Sequence, residues 1–179
     1  MKKKSISILF AAFVLSGNAW ADSSYFDVIY SPEMGDMTKA VGLGLYALND
    51  SGVGGYFNGI FPIKPSNYSA GYYCGYYCTE TKTMRAAFVG NIGITFPLVP
   101  ASFEKRGYQS VHGYFGVGYG EIEGIVKTSD GSWTDKMEND KSGFNTNGGI
   151  IVAFDPFSIN VGVKSMMKAV YIGIGIKTK

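Results

Sequence analysis

Beyond residue 21 the sequence has no apolar run long enough to cross a bilayer as a helix, which takes about 20 residues. Its two cysteines and single histidine are too few for a structural zinc site, which takes four Cys or His ligands. Its 16 Lys and Arg are matched by 14 Asp and Glu and form no basic patch, so no nucleic-acid partner is expected. Proline is scarce at six residues, whereas there are 25 glycines, 13 tyrosines and 12 phenylalanines. A chain rich in Gly and aromatics that is not low in complexity points to many strands.

The first residues follow the order of a secretory leader: Met1-Lys2-Lys3-Lys4, an apolar stretch from Ile6 to Leu15, then Ala19-Trp20-Ala21. Cleavage is expected after Ala21, leaving one domain over 22–179. Losing Lys2, Lys3 and Lys4 takes the formal charge from +2 to about −1.

Strict two-residue alternation recurs along the rest. Phe157, Ile159, Val161 and Val163 alternate with Ser158, Asn160, Gly162 and Lys164; Val170, Ile172, Ile174 and Ile176 alternate with Tyr171, Gly173, Gly175 and Lys177. Similar patterns span Val41–Leu48, Val53–Phe61, Arg85–Phe96, Val111–Gly120 and Phe144–Phe154, with a weaker one over Tyr25–Tyr30. Successive strand side chains point to opposite faces, so each segment has one apolar face and one of glycine and polar groups. Eight strands are predicted, longer than the usual five or six residues. Asn49–Gly52 and Asp155-Pro156 read as tight turns, and 62–83 and 121–143 as long loops. Alternating short and long links fit an antiparallel up-and-down barrel. The link Pro97–Ser110 is too long for this scheme unless Phe103–Tyr108 is strand and the turn lies within Pro97–Pro100.

Alternation alone suits a soluble barrel with an apolar interior or a transmembrane one with the pattern inverted. The non-aliphatic faces carry Gly42, Gly44, Gly116, Gly118, Gly162, Gly173 and Gly175 rather than the Lys and Glu of a wetted surface. That favours an all-β, eight-stranded antiparallel transmembrane β-barrel with Arg85, Asn91, Asn160 and Lys164 as an interior polar network pairing with Asp27, and His112 as a packed interior histidine. Eight strands leave an interior filled by side chains, so no open pore is expected.

The signal ending Ala19-Trp20-Ala21 and the final hairpin "FSINVGVKSMMKAVYIGIGIKTK" resemble the small eight-stranded outer-membrane β-barrel proteins of Gram-negative bacteria. The resemblance spans the mature chain as a pattern and is weak at any single motif. It implies an outer-membrane location, contact with outer-membrane lipid and lipopolysaccharide, and insertion by the outer-membrane assembly machinery. The chain departs from that group in ending Ile176-Lys177-Thr178-Lys179 rather than on an aromatic residue.

Residues 71–78 read "GYYCGYYC". Export would place Cys74 and Cys78 in oxidising surroundings, where they are expected to pair. An extended strand would hold their Cα atoms about 13 Å apart, beyond bridging distance, so pairing needs a tight turn. Free thiols and pairing between chains remain alternatives. Tyr72, Tyr73, Tyr76 and Tyr77 have two readings, an aromatic girdle at the membrane interface or a contact surface for a protein or other surface ligand.

Some barrels of this type modify lipid A, and the deacylases among them use a His and a Ser two positions apart on one strand face. Here His112 is followed at that spacing by Tyr114, so the match fails. Glu121 and Glu123 share a face but read as a solvated strand end. No catalytic residue and no cofactor is therefore expected. The resulting expectation is a monomeric, non-catalytic outer-membrane barrel acting through loops 62–83 and 121–143. A lipid-modifying enzyme and a soluble periplasmic barrel holding an apolar ligand are the alternatives.

Overall fold

The computed structural model describes residues 21–34, 37–69, 78–80, 84–99, 110–135 and 140–179. Its strands are β1 (Ser23–Ser31), β2 (Ala40–Leu48), β3 (Gly54–Pro62), β4 (Cys78–Glu80), β5 (Met84–Val99), β6 (Ser110–Thr128), β7 (Trp133–Asp135), β8 (Lys141–Phe154), β9 (Phe157–Lys164) and β10 (Ala169–Lys177). All ladders between them are antiparallel. Eight strands run β1-β2-β3-β5-β6-β8-β9-β10, and β10 pairs back with β1 from Tyr25↔Lys177 to Tyr30↔Ile172, which closes the barrel. Closure leaves no free edge among these eight.

The burial of alternate residues is inverted relative to a water-soluble protein. Ile172, Ile174 and Ile176 are 48%, 66% and 52% exposed, whereas Tyr171, Gly173 and Gly175, which alternate with them, are buried. Phe157, Ile159, Val161 and Val163 face outward on β9, and Ser158, Asn160 and Lys164 face inward. The apolar exterior continues through Val28, Val41, Leu43, Ile94, Phe115, Val117 and Ile150. An apolar surface of this extent on a molecule in water would far exceed the few hundred Å² that soluble monomers tolerate. Tyr30, Phe61, Phe88, Tyr119 and Phe144 mark its upper border at the end away from the chain termini, with the Phe61 and Phe88 rings 5.3 Å apart.

The barrel is lopsided. β1, β2, β3 and β10 have 9 residues each and β9 has 8, whereas β5, β6 and β8 have 16, 19 and 14. Residues 121–128 therefore rise above the aromatic border by roughly 25 Å of strand, at about 3.3 Å per residue. This corrects the expectation of a loop over 121–143: β6 continues to Thr128, turns at 129–132, and returns through β7. Glycine at position 131 supplies the turn's positive φ of 85°.

The region around Pro97 also differs from expectation. Pro97 and Val99 belong to β5, opposite His112 and Val111, with a register shift between them. A proline and a ladder irregularity coincide because proline has no N–H to donate. Phe103–Tyr108 lies outside the described residues.

Candidate functional site

Two regions carry polar chemistry: the barrel interior and the wall above the aromatic border. The interior is built on four tyrosines that sequence reasoning did not single out. Tyr46, Tyr56, Tyr114 and Tyr171 each lie on the glycine face of their strand and are all at least 96% buried. Tyr46 and Tyr56 stack at 5.4 Å between ring centroids, and Tyr114 meets both edge-on at 5.6 and 5.1 Å. The signal was present in the sequence: a large phenol in a register otherwise held by glycine has to fill the space that those glycines leave.

Two cross-strand glycine pairs make this packing concrete. Gly93 faces Gly116 beneath the Tyr56 ring, and Gly149 faces Gly162 beneath Tyr114. A Cβ on Gly93 would stand 2.2 Å from the Phe115 carbonyl oxygen and 2.6 Å from the Tyr56 ring. Small residues on the wall thus exchange volume with large ones in the lumen, as the narrow interior of an eight-stranded barrel demands.

Hydrogen bonds tie the phenols into an amide network. Tyr114 donates to Asn160 Oδ1 at 2.7 Å and shares a 2.7 Å bond with the Tyr171 hydroxyl. Tyr56 donates to Asn147 Oδ1 at 2.6 Å, and Asn160 Nδ2 donates to the Tyr46 hydroxyl at 2.6 Å. Asn58 Oδ1 accepts from Lys164 Nζ at 2.6 Å and from Asn91 Nδ2 at 3.2 Å. Asn145 Nδ2 donates in turn to Asn91 Oδ1. The Lys164 ammonium also lies 5.4 Å from the Tyr171 ring centroid, a cation–π distance.

Among the described residues the interior is filled by these phenol rings and amides. Removing two rings, in Tyr46→Ala combined with Tyr114→Ala, is expected to open an ion path. Planar-bilayer recordings should then show discrete conductance steps that wild type lacks, and equal currents from both proteins would refute the plug.

Above the border, loop residues brace both edges of the wall. β6 pairs with β7 on one side (Lys127↔Trp133, Ile125↔Asp135) and with β4 on the other (Cys78↔Thr128, Glu80↔Lys127). Residues 67–69 then cover the outer edge of β7: Trp133 N donates to the Asn67 carbonyl, and Ser69 N to the Trp133 carbonyl, both at 2.8 Å. The same connection between β3 and β5 thus flanks the wall at its start and at its end. The Tyr68 hydroxyl donates to Asp135 Oδ1 at 2.5 Å, Lys64 Nζ lies 4.7 Å from the Tyr68 ring, and Lys127 Nζ lies 5.8 Å from the Trp133 ring. Ile125, Val126 and Thr134 are each 1% exposed, so this extension is a packed cap sheet. At its tip the Thr128 hydroxyl bonds Asp130, and with the Ser132 backbone N–H it holds that exposed carboxyl below its ordinary pKa.

The sequence matches no protein-family model and no curated protein. Solved structures do resemble the fold. The attachment invasion locus protein Ail of Yersinia pestis aligns over 87% of this chain and 93% of its own, at 12% identity and a TM-score of 0.50. Ail in complex with the heparin analogue sucrose octasulfate aligns over the same shares at 12% identity and a TM-score of 0.46. The N-terminal β-barrel domain of Pseudomonas aeruginosa OprF aligns over 88% of this chain and 98% of its own, at 10% identity and 0.47. The fold is that of a small eight-stranded outer-membrane barrel. At these identities the likeness speaks for architecture, and the residues have to speak for the rest.

Within this outer-membrane barrel fold, Asn91, His112 and Asn160 are fully buried and Lys164 is 1% exposed, all on the inner face. Their pairing with Asp27 is corrected for Lys164 and Asn91, whose bonds go to Asn58. Asp27 instead accepts from Ser158 Oγ at 2.9 Å, with Asn160 beside it. Asp27 sits nearer the end that carries the termini and Lys164 nearer the loops, so β9 places them too far along the barrel to meet. Arg85 lies in β5 opposite Glu123, next to a register shift between Ala86 and Phe88; its side chain is outside the described residues. Cys74, Tyr72, Tyr73, Tyr76 and Tyr77 are outside them too, and Cys78 is described only as the backbone that opens β4. His112 has a neighbour that the sequence did not reveal: Asp50, from the turn after β2, brings Oδ1 to 3.3 Å of Nε2. The contact is within ion-pair distance but is not aligned as a hydrogen bond.

Proposed function

We propose that residues 22–179, freed of the leader 1–21, sit as a monomer in the outer membrane and act as a structural and surface-interaction protein. The cap sheet built by β4, β6, β7 and residues 67–69 presents the contact surface. The observation that carries this reading is the lopsided wall. Strands that only have to cross the bilayer need no extension past the aromatic border, yet β5, β6 and β8 continue beyond it and a second connection braces them. In this orientation the termini and tight turns face the periplasm, and the cap faces outward.

The filled, hydrogen-bonded interior supports a role without conduction. Among the described residues no group of three or more His, Cys, Asp or Glu is placed to hold a metal, and His112 has a carboxylate rather than a serine beside it. The non-enzymatic reading rests on His112 being followed two positions on by Tyr114 rather than by a serine. Lipid and lipopolysaccharide surround the belt in this reading, and the assembly machinery inserts it. Cys74 and Cys78 form a disulfide, and the tyrosines beside them, Tyr72, Tyr73, Tyr76 and Tyr77, belong to the contact surface. Thiol labelling of the unfolded chain before and after reduction should yield no free thiol and then two.

Surface interaction is tested with whole cells. One strain produces the full protein, and the other a barrel in which residues 125–139 are replaced by a tight turn. Both proteins should fractionate with the outer membrane and shift mobility on boiling. Only the first strain is expected to adhere to surfaces coated with extracellular-matrix protein or glycan. Equal adhesion by the two strains would remove the cap from the function.

A further inference from the structure

The mouth of the lumen at the end that carries the termini holds a histidine without a settled partner. His112 is fully buried on the inner face of β6, and neither ring nitrogen is hydrogen-bonded. Its cross-strand neighbours are Pro97 of β5 and Ile151 of β8, whose side chains have no polar atom to offer. Buried polar groups are nearly always satisfied, so an orphan imidazole calls for an explanation. The group that reaches it is the Asp50 carboxylate, 3.3 Å from Nε2.

Two features set this contact apart from an ordinary ion pair. The first is its length. A charge-assisted N–H···O bond closes to about 2.7–2.9 Å. Two donors on one zinc-like ion, each about 2.1 Å from it, stand about 3.0 Å apart at a right angle and about 3.4 Å apart at the tetrahedral angle. The His112–Asp50 separation falls between these values, and the pair is not aligned as a hydrogen bond.

The second feature is that Asp50 is held in place. Its backbone N–H donates to Asp22 Oδ2 at 2.9 Å. Beside it, Asn49 Oδ1 accepts from the Ser51 N–H and hydroxyl at 3.0 and 3.1 Å. The turn therefore fixes the carboxylate near the imidazole. Nearby cations are engaged elsewhere: Lys177 Nζ pairs with Asp155 at 3.2 Å, and Lys179 Nζ donates to the Ala21 carbonyl at 3.2 Å. Among the described residues no Lys or Arg is paired with Asp50. The Asp50 side chain is 42% exposed, so the contact has a wet side open to solution and a dry side at His112.

We propose that His112 Nε2 and Asp50 Oδ1 bind one divalent transition-metal ion of the zinc, nickel and copper class at this mouth. Imidazole and carboxylate are donors that these ions accept. Two protein donors leave the remaining positions to water, so the site is open and exchangeable rather than a closed structural centre. The bound ion ties the turn after β2 to β6, past β3 and β5, which lie between them in the sheet. Asp22 is a positioning residue that acts through the Asp50 backbone. The inference rests on the closed barrel, which brings that turn to β6, and is independent of what the cap contacts.

The test uses the untagged barrel refolded in detergent micelles, where a heat-modifiable band reports on the fold by itself. Cu2+ is the probe, because it leads the divalent series in affinity for such donors. His112 is the chain's single histidine, so an imidazole nitrogen coupled to the copper in electron paramagnetic resonance can come from no other residue. Wild type should take up one Cu2+ with that coupling, and excess Zn2+ should displace it. His112→Gln should abolish the coupling. Asp50→Asn should weaken Cu2+ binding by at least ten-fold and Asp22→Ala by about ten-fold, as the loss of an outer-shell support does. Asp130→Asn, at the tip of the cap, should leave it unchanged. The site is overturned if wild type binds Cu2+ without imidazole coupling, which would mark adventitious binding to surface carboxylates. It is also overturned if Asp50→Asn keeps the wild-type affinity. Should His112→Gln fail to give the band, the variants at the exposed Asp50 and Asp22 decide. A wild-type chain without the band would count against the barrel itself and remove the site with it.

Discussion

Replacing Gly93 by valine should leave no heat-modifiable species in refolding assays. The new Cβ would stand 2.2 Å from the Phe115 carbonyl oxygen, 2.6 Å from the Gly116 Cα and 2.6 Å from the Tyr56 ring. Two of these atoms are backbone of the neighbouring strand, so no rotamer change relieves the clash. Overpacking of a core costs about 1–3 kcal/mol, and more where the backbone itself has to move. A marginally stable domain has only about 5–15 kcal/mol in all. Tyr56 also carries the hydrogen bond to Asn147, so displacing its ring leaves a buried amide oxygen without its donor, at about 1–3 kcal/mol. Gly143→Ala is the control. Nothing lies within 4 Å of a Cβ there, and the folded band should persist. A folded Gly93→Val barrel of wild-type stability would mean that the Tyr56 ring does not lie over that glycine pair.

Ile174→Lys should destabilise the folded barrel in a bilayer by about 2–4 kcal/mol, the cost of a cation near the midplane on the lipid face. The side chain is 66% exposed and sits midway along β10, with Ile159 and Val28 opposite it on either side. In a water-soluble protein the same exchange at so exposed a position would change stability by about 0.5 kcal/mol or less. The two readings of the alternating pattern therefore predict outcomes several-fold apart for one substitution. Urea titration in vesicles, followed by band shift, separates them. The same exchange at Ile176, closer to the rim, should cost less because lysine can reach the interface there. A flat response across Ile172, Ile174 and Ile176 would mean that this face meets water.

Much of the barrel was legible because the strand period is two and one face is uniformly aliphatic. The predicted Val170–Lys177 and Phe157–Lys164 segments coincide with β10 and β9 to within a residue. Even the weak Tyr25–Tyr30 signal marks β1, extended to Ser23–Ser31. What stayed hidden lay where that alternation stops. Residues 121–128 switch from one buried face to two, as at Ile125 and Val126, once the strand leaves the lipid belt and enters the cap sheet. Periodicity then no longer separates strand from loop. The Tyr68–Trp133 bridge links positions 65 residues apart, and no local pattern encodes such a contact. Nor could composition reveal that Lys164 finds an asparagine rather than Asp27. That choice is made by height along the barrel axis, which depends on the stagger of strands around the closed sheet.

The interior bonds also bear on how such a molecule comes into being. Several join strands that are not neighbours in the sheet: Tyr56 of β3 reaches Asn147 of β8 and Tyr46 of β2 reaches Asn160 of β9 across the lumen, and Asp27 of β1 reaches Ser158 of β9 past β10. A half-formed sheet of four strands would hold one partner of each pair and bare its amides to hydrocarbon. Insertion and closure should therefore be a single concerted event, without a stable partly threaded stage at which the chain could rest.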